Sequence, residues 1–189
     1  MEKSNEVKEE KKKIMFYPRP GSAEYNFLMA DKEARERSLK RWKAMNKYLV
    51  IPLYRIGILP LFGFSFIFLL LFTKGRKTGK RRITPLEYHR IDGVIHIFAS
   101  RGERTHWLKN IRANPEEVKI RIGYRKFEVK PEIVEDIEER KKILEWYIRK
   151  YPQAAKMLMG WDPRTDKLEN TDLTFLAENI VPVRLYKKK

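Results

Sequence analysis

The stretch Leu71-Phe72-Thr73-Lys74-Gly75-Arg76-Lys77-Thr78-Gly79-Lys80-Arg81-Arg82-Ile83-Thr84-Pro85-Leu86 decides the fold. Its first residues close an apolar run. Its middle is a basic turn with two glycines, and its last residues alternate apolar and polar. The order reads as strand, turn, strand. Glycines let backbone N–H groups approach a phosphate, Thr78 adds a hydroxyl, and Arg76, Lys77 and Arg82 neutralise charge. The spacing is not that of a nucleotide-binding P-loop, because no helix follows. A basic hairpin without a ligand has the same composition, so the rest of the chain must decide.

Upstream lies Tyr48–Phe72, apolar enough to suggest a membrane span. Pro52, Arg55, Gly57, Pro60 and Gly63 interrupt it, and a proline inside a helix costs roughly 3 kcal/mol. Cutting at Pro60 gives a short helix and then a strand, Phe64–Phe72, buried on both faces. Before it, Asp31 to Tyr48 reads as a helix with Leu39, Trp42, Met45 and Leu49 at helical spacing. Two readings stay open for that helix: packed on the domain, or basic and amphipathic at an anionic membrane surface. Residues 1–20 read as a charged, disordered tail. No signal peptide is expected, since the first apolar run comes too late. A cytoplasmic protein follows, free or peripheral on the inner face of the membrane.

Downstream the pattern is a meander. A strand Arg81–Arg90 leads to the hairpin signal Asp92-Gly93 and a strand Val94–Ser100. Arg101–Arg104 reads as a loop. Thr105 caps a short helix to Ala113, stopped by Asn114-Pro115. Val118–Ile122 and Lys126–Val134 form a second hairpin. Asp136 with Glu139 makes a capping box for a helix to about Lys150. Pro152 opens another short helix. Gly160–Glu178 reads as a polar insertion, with Trp161 and Asp162 as a lid or a surface loop, and Ile180–Tyr186 as the last strand. About six strands with peripheral helices make an α+β protein built on a closed or half-closed antiparallel barrel.

The chain has 189 residues, no cysteine and three histidines. Thiol nucleophiles and cysteine metal sites are therefore excluded, and no metal site is expected. Lys and Arg number 42 against 25 Asp and Glu, a net charge of +17 that calls for an anionic partner. A basic nucleic-acid-binding barrel answers that charge too. Its aromatics, however, cluster in apolar runs instead of alternating with basic residues, so no specific nucleic acid is expected.

Three segments carry a pattern in common: the basic turn with Pro85-Leu86 beyond it, Ala99-Ser100, and Trp107-x-x-Asn110-x-x-Ala113-Asn114-Pro115. In that order they resemble the deazaflavin-dependent nitroreductase family, over roughly residues 46–151 and again at Val181–Tyr186. The resemblance implies a split β-barrel of the flavin-reductase type, and domains of 1–20 (tail), 21–60 (helical extension) and 61–189 (barrel). It also implies an oxidoreductase that takes a hydride from reduced coenzyme F420 to a quinone, nitro compound or similar acceptor. Matched residue by residue, Arg76, Lys77 and Thr78 fall at the cofactor phosphate. Arg82, Ile83, Thr84, Pro85 and Leu86 line the cofactor. Phe98, Ala99, Ser100 and Arg101 lie beside the ring, and His106, Trp107, Leu108, Lys109 and Asn110 match a helix start, with Trp107 able to stack. Ser100 is the candidate for hydrogen-bonding substrate. Glu87 stands where the family carries Tyr, and is expected to meet Arg76, Arg82 or Arg101 or to face the substrate. Tyr88, one step on, belongs to the opposite strand face. Tyr151-Pro152 is followed by Gln153, Ala154 and Ala155, so a hydroxyl-rich pocket is not expected. Relatives with FMN or haem keep those cofactors open as alternatives, and a monomer or a homodimer fits.

Overall fold

The structure is a computed structural model, and it describes residues 13–63 and 67–188. Among the described residues there are nine strands: β1 (Ile14–Met15), β2 (Phe68–Lys74), β3 (Arg81–Glu87), β4 (His89–Ile91), β5 (Val94–Ala99), β6 (Lys119–Ile122), β7 (Arg125–Ile133), β8 (Thr171–Asp172) and β9 (Val181–Lys187). The α-helices are α1 (Ala23–Leu28), α2 (Lys32–Met45), α3 (Ile51–Arg55), α4 (Ile58–Leu61), α5 (His106–Ala113), α6 (Ile137–Lys150), α7 (Pro152–Met159) and α8 (Thr174–Asn179).

Seven strands form one sheet in the order β3-β2-β6-β7-β9-β5-β4, every pair antiparallel. Its two edges, β3 and β4, are separated in the chain by Tyr88 alone. A sheet whose opposite edges are neighbours in sequence has rolled up until they meet, and β3 also comes against β5. The fold is an α+β split β-barrel. The strand expected over 81–90 is two strands, since the chain crosses the split at Tyr88 to pair first with β2 and then with β5.

The continuous apolar run of β2 is explained by cover on both faces. Leu69 and Leu71 point into the barrel core, while Leu70 and Phe72 face outward under Tyr54 of α3. Tyr54 is fully buried; its hydroxyl donates to the Phe68 carbonyl at 3.0 Å and accepts from the Gly123 N–H at 2.9 Å. Tyr54 ties the helical extension to the barrel, and Tyr124 Oη adds a second link by donating to the Gly57 carbonyl. The strand expected from Phe64 begins at Phe68, and residues 64–66 lie outside the described residues. Asp92 and Gly93 adopt φ 50° and 80°, the left-handed pair that a two-residue hairpin needs.

The expected end of the N-terminal helix at Tyr48 is overrun. A π-helical turn, Asn46–Val50, carries it into α3, just ahead of Pro52, whose missing N–H breaks the regular ladder. Among the described residues no helix is long and apolar enough to cross a membrane. The packing of α2 is light: it meets α1 through half-buried residues such as Arg35 and Leu39 but buries none fully, and Trp42 and Met45 stand exposed.

Two further expectations need correction. Gly160–Glu178 is not a surface loop or lid: Trp161, Leu168, Leu173, Leu176 and Ala177 are buried in a second core with α6 and α7. Its polar composition hid five apolar side chains spaced for burial by short elements. The tail also ends earlier than composition suggested. Ile14–Met15 pairs in parallel with Thr171–Asp172, and Phe16 is buried with its ring 5.3 Å from that of Trp161. The rest of the expected tail, residues 1–12, lies outside the described residues.

Candidate functional site

The basic turn is closed by its own backbone. The Gly75 N–H donates to the Lys80 carbonyl at 2.9 Å, and the Thr78 and Gly79 N–H groups donate to the Gly75 carbonyl at 3.1 and 2.8 Å. Gly79 takes φ 64°, which a side chain would strain. The Arg76 N–H donates to Asn110 Oδ1 at 3.2 Å, and Asn110 Nδ2 donates to Thr73 Oγ1 at 3.3 Å. Asn110 is thus a strut between α5 and the turn, not a free ligand group. It also follows that the amides of Gly75, Arg76, Thr78 and Gly79 are occupied. The expected amide cradle is replaced by side chains: Arg76, Lys77, Thr78 and Arg82 are all exposed, with Arg82 Nη2 donating to Thr78 Oγ1 at 3.4 Å.

A second group of cations meets the turn at the start of α5. Desolvation holds the His106 imidazole below its ordinary value, and Arg101, Lys43, Arg76 and Lys109 add to the effect in that order. Four cations from α2, the turn, the end of β5 and α5 therefore share one neighbourhood, at the positive end of a helix. Arg101 is half-buried, and desolvation lowers its guanidinium. Among the described residues, none of Arg76, Lys77, Arg82, Arg101 and Lys109 has an acidic partner within 4.0 Å. Exposed cations elsewhere, such as Arg104 and Lys150, also lack one among the described residues, while Arg112 pairs with Glu103 and Glu135, and Arg184 with Glu132 and Glu139. A surface cleft of about 390 Å³ on the other flank of the turn has such pairing too, with Lys74 on Glu117 and Lys119 on Glu128.

The remaining expected residues divide. Ile83, Thr84, Pro85, Leu86 and Phe98 are half-buried along β3 and β5. Ala99, Trp107 and Leu108 are buried in the barrel core, so their side chains shape the site from behind and Trp107 does not offer a free stacking face. Tyr88 faces the core, as its strand position requires.

Glu87 and Ser100 lie at the split of the barrel. Glu87 does not meet Arg76, Arg82 or Arg101; His89 Nε2–H donates to its Oε1 at 3.0 Å across the Tyr88 corner, the two side chains being two positions apart and so on one face. Over His89 stand Tyr147 and Tyr151, with ring centroids at 4.9 and 4.7 Å, and Phe98 and Trp146 complete the cluster. Two tyrosines therefore stand against His89. They come from α6 and its end, and the spacing of Tyr147 and Tyr151 by one helical turn was the available signal. Glu24 of α1 is buried here as well, hydrogen-bonded to the Ser100 side chain. Nothing in the sequence marked it.

Residues 62–165 match the F420H(2)-dependent quinone reductase family. A solved structure described as an F420-H2 dependent reductase is 25% identical, with 64% of this chain aligned to 93% of that one at a TM-score of 0.39. One described as a domain-swapped dimer is 25% identical over 64% of this chain and 79% of that one, at 0.40. An FAD-binding protein from Mesorhizobium loti is 17% identical over 65% and 82%, at 0.41. The family match spans more than half of the sequence, and the chain belongs to the F420H(2)-dependent quinone reductases, deazaflavin-dependent oxidoreductases whose cofactor is coenzyme F420.

Proposed function

We propose that the unpaired cations hold the anionic arm of coenzyme F420 and that the split of the barrel holds a quinone, with activated nitro compounds as a second acceptor class. The observation that carries this reading is the convergence of Arg101, Lys43, Arg76 and Lys109 on His106 at the start of α5. None of Arg76, Arg101 and Lys109 has an acidic partner within 4.0 Å among the described residues, and Arg101 is half-buried. A polyanion fits such a site; a neutral ligand leaves the repulsion unrelieved. Arg76, Lys77 and Thr78 would take the phosphodiester, Arg82, Arg101 and Lys109 the remaining negative charge, and Ile83 to Leu86 the flat ring. When bound, the reduced cofactor supplies the hydride. Ser100 donates to the acceptor oxygen, and Glu87 holds His89 in place beneath Tyr147 and Tyr151.

A fluorescence titration with oxidised coenzyme F420, run beside FMN, tests the reading. Saturable deazaflavin binding is expected, weakened roughly tenfold in Lys77→Ala and more at low salt, with FMN weaker than the deazaflavin. Absence of deazaflavin binding overturns it.

The exposed face of the extension supports a finer proposal. Tyr48, Leu49, Ile56, Leu61 and Phe62 are all more than half exposed. Lys43, Lys47 and Arg55 flank them, also exposed. Apolar side chains ringed by cations suit an anionic bilayer, where lipid-soluble quinones dissolve. In this reading residues 21–60 dock the barrel, residues 61–189, on that surface. Co-sedimentation with vesicles containing phosphatidylserine is expected, and Leu61→Glu with Phe62→Glu should abolish it. Equal pelleting of the double variant sinks the idea.

A further inference from the structure

Glu24, near the start of α1, is 4% exposed. One side of its carboxyl meets the Ser100 side chain, while Oε2 has no hydrogen-bond partner among the described residues. The groups that face it are Glu87 at the end of β3, Ser100 after β5, and Tyr147 of α6, whose buried hydroxyl also lacks a partner. From α2, Arg35 is turned away to the Leu28 and Ala30 carbonyls, and Lys156 of α7 pairs with Asp162. An ionised carboxylate in this setting would leave one charged oxygen bare, with a second carboxylate nearby and no cation bonded to it. The neutral acid is the resident form. Burial pushes the carboxyl up to about 8, against the Ser100 hydrogen bond and with a further push from Glu87.

We propose that Glu24 is the proton reservoir for acceptor reduction, working through Ser100. The inference rests on the proposed function above. A quinone that accepts a hydride gains two electrons and one proton, and one of its oxygens is left as an anion. Ser100 gives its hydroxyl proton to that oxygen: its O–H bond breaks as the hydroquinone O–H forms. The Glu24 carboxyl passes its proton to Ser100 Oγ and becomes a carboxylate, which solvent reprotonates before the next turnover. A serine alone is far too weak an acid to do this repeatedly, whereas a carboxyl tuned near the working pH matches the task.

Glu24 does not touch the acceptor, so its test needs readouts beyond rate. Carbon NMR of glutamate-labelled, cofactor-free protein, assigned with Glu24→Gln, should show one carboxyl titrating near pH 8. With a soluble benzoquinone, kcat should fall above that pH in the unmutated enzyme. Glu24→Gln should lower kcat by roughly 100-fold, flatten that limb, and leave the quinone KM and the Kd for coenzyme F420 unchanged. Glu24→Asp, which keeps an acid, should retain part of the rate and the limb. A Glu24 resonance in the ordinary carboxylate range overturns the relay by itself. So does Glu24→Gln with unmutated kcat and an unmutated pH profile. No deazaflavin binding by the unmutated protein overturns the functional reading instead, and the relay falls with it.

Discussion

Arg101→Ala is expected to weaken binding of oxidised coenzyme F420 by about 30-fold, roughly 2 kcal/mol, while the protein stays as stable as before or becomes more so. Both effects come from one placement. Arg101 is half-buried, desolvation alone lowers its guanidinium, and no acid balances it among the described residues. A cation held like this destabilises the ligand-free fold and gains its partner only on binding. It is also less screened by solvent than Lys77 on the exposed turn, so its loss should weigh more. Arg101→Lys should recover only part of the affinity, because an ammonium lacks the planar fork of donors. A fluorescence titration at two salt concentrations, with thermal unfolding alongside, checks all three statements. Unchanged affinity in Arg101→Ala would remove this residue from the site. A large fall in melting temperature would make it a structural residue.

The cationic half of the site was readable because charge and turn chemistry are local. Gly75 to Arg82 announces a basic turn in any context, and Asn110 to Pro115 announces the helix that braces it. What those residues do was less readable. Asn110 looks like a ligand donor until its amide is seen spanning Arg76 and Thr73. Trp107 looks like a stacking platform until the barrel core encloses it. The acceptor half was hidden for a different reason. Glu24, Glu87, Ser100 and Tyr147 come from α1, β3, the end of β5 and α6, and only the rolling of the sheet brings them together. Tyr88 sits at the point where the chain crosses the split, yet as a residue it carries no sign of a strand break. The second core was missed because Trp161 and Leu168 lie within a mostly polar stretch, where periodicity has no regular element to act on.

The largest expected effect on stability also belongs to the buried acid. Between about pH 5 and pH 8 the folded chain should lose stability as the pH rises, and Glu24→Gln should remove that dependence. The sign follows from proton uptake. In the folded state Glu24 is pushed up to about 8 from an ordinary value of 4.5, so between these values the folded state binds one proton more than the unfolded chain. Its contribution is fully present below the unfolded value and is lost as the pH rises through the folded one. The slope is about 1.4 kcal/mol per pH unit, and over about three units the loss reaches roughly 4 kcal/mol. At pH 5 the variant and the unmutated protein should match closely, since an amide fills the same space and can keep the Ser100 hydrogen bond. By pH 8 to 9 the variant should be the more stable, by a large part of that difference. Urea unfolding across this range reads it directly, and parallel pH profiles for the two proteins would show that Glu24 is ionised at neutral pH. The loss has a ceiling set by α1 itself. A six-residue helix can lift away at less cost than global unfolding, and Glu24 would then ionise in water. In that case the urea midpoint levels off above pH 8 while amide exchange in α1 accelerates, a pattern that Glu24→Gln should also erase.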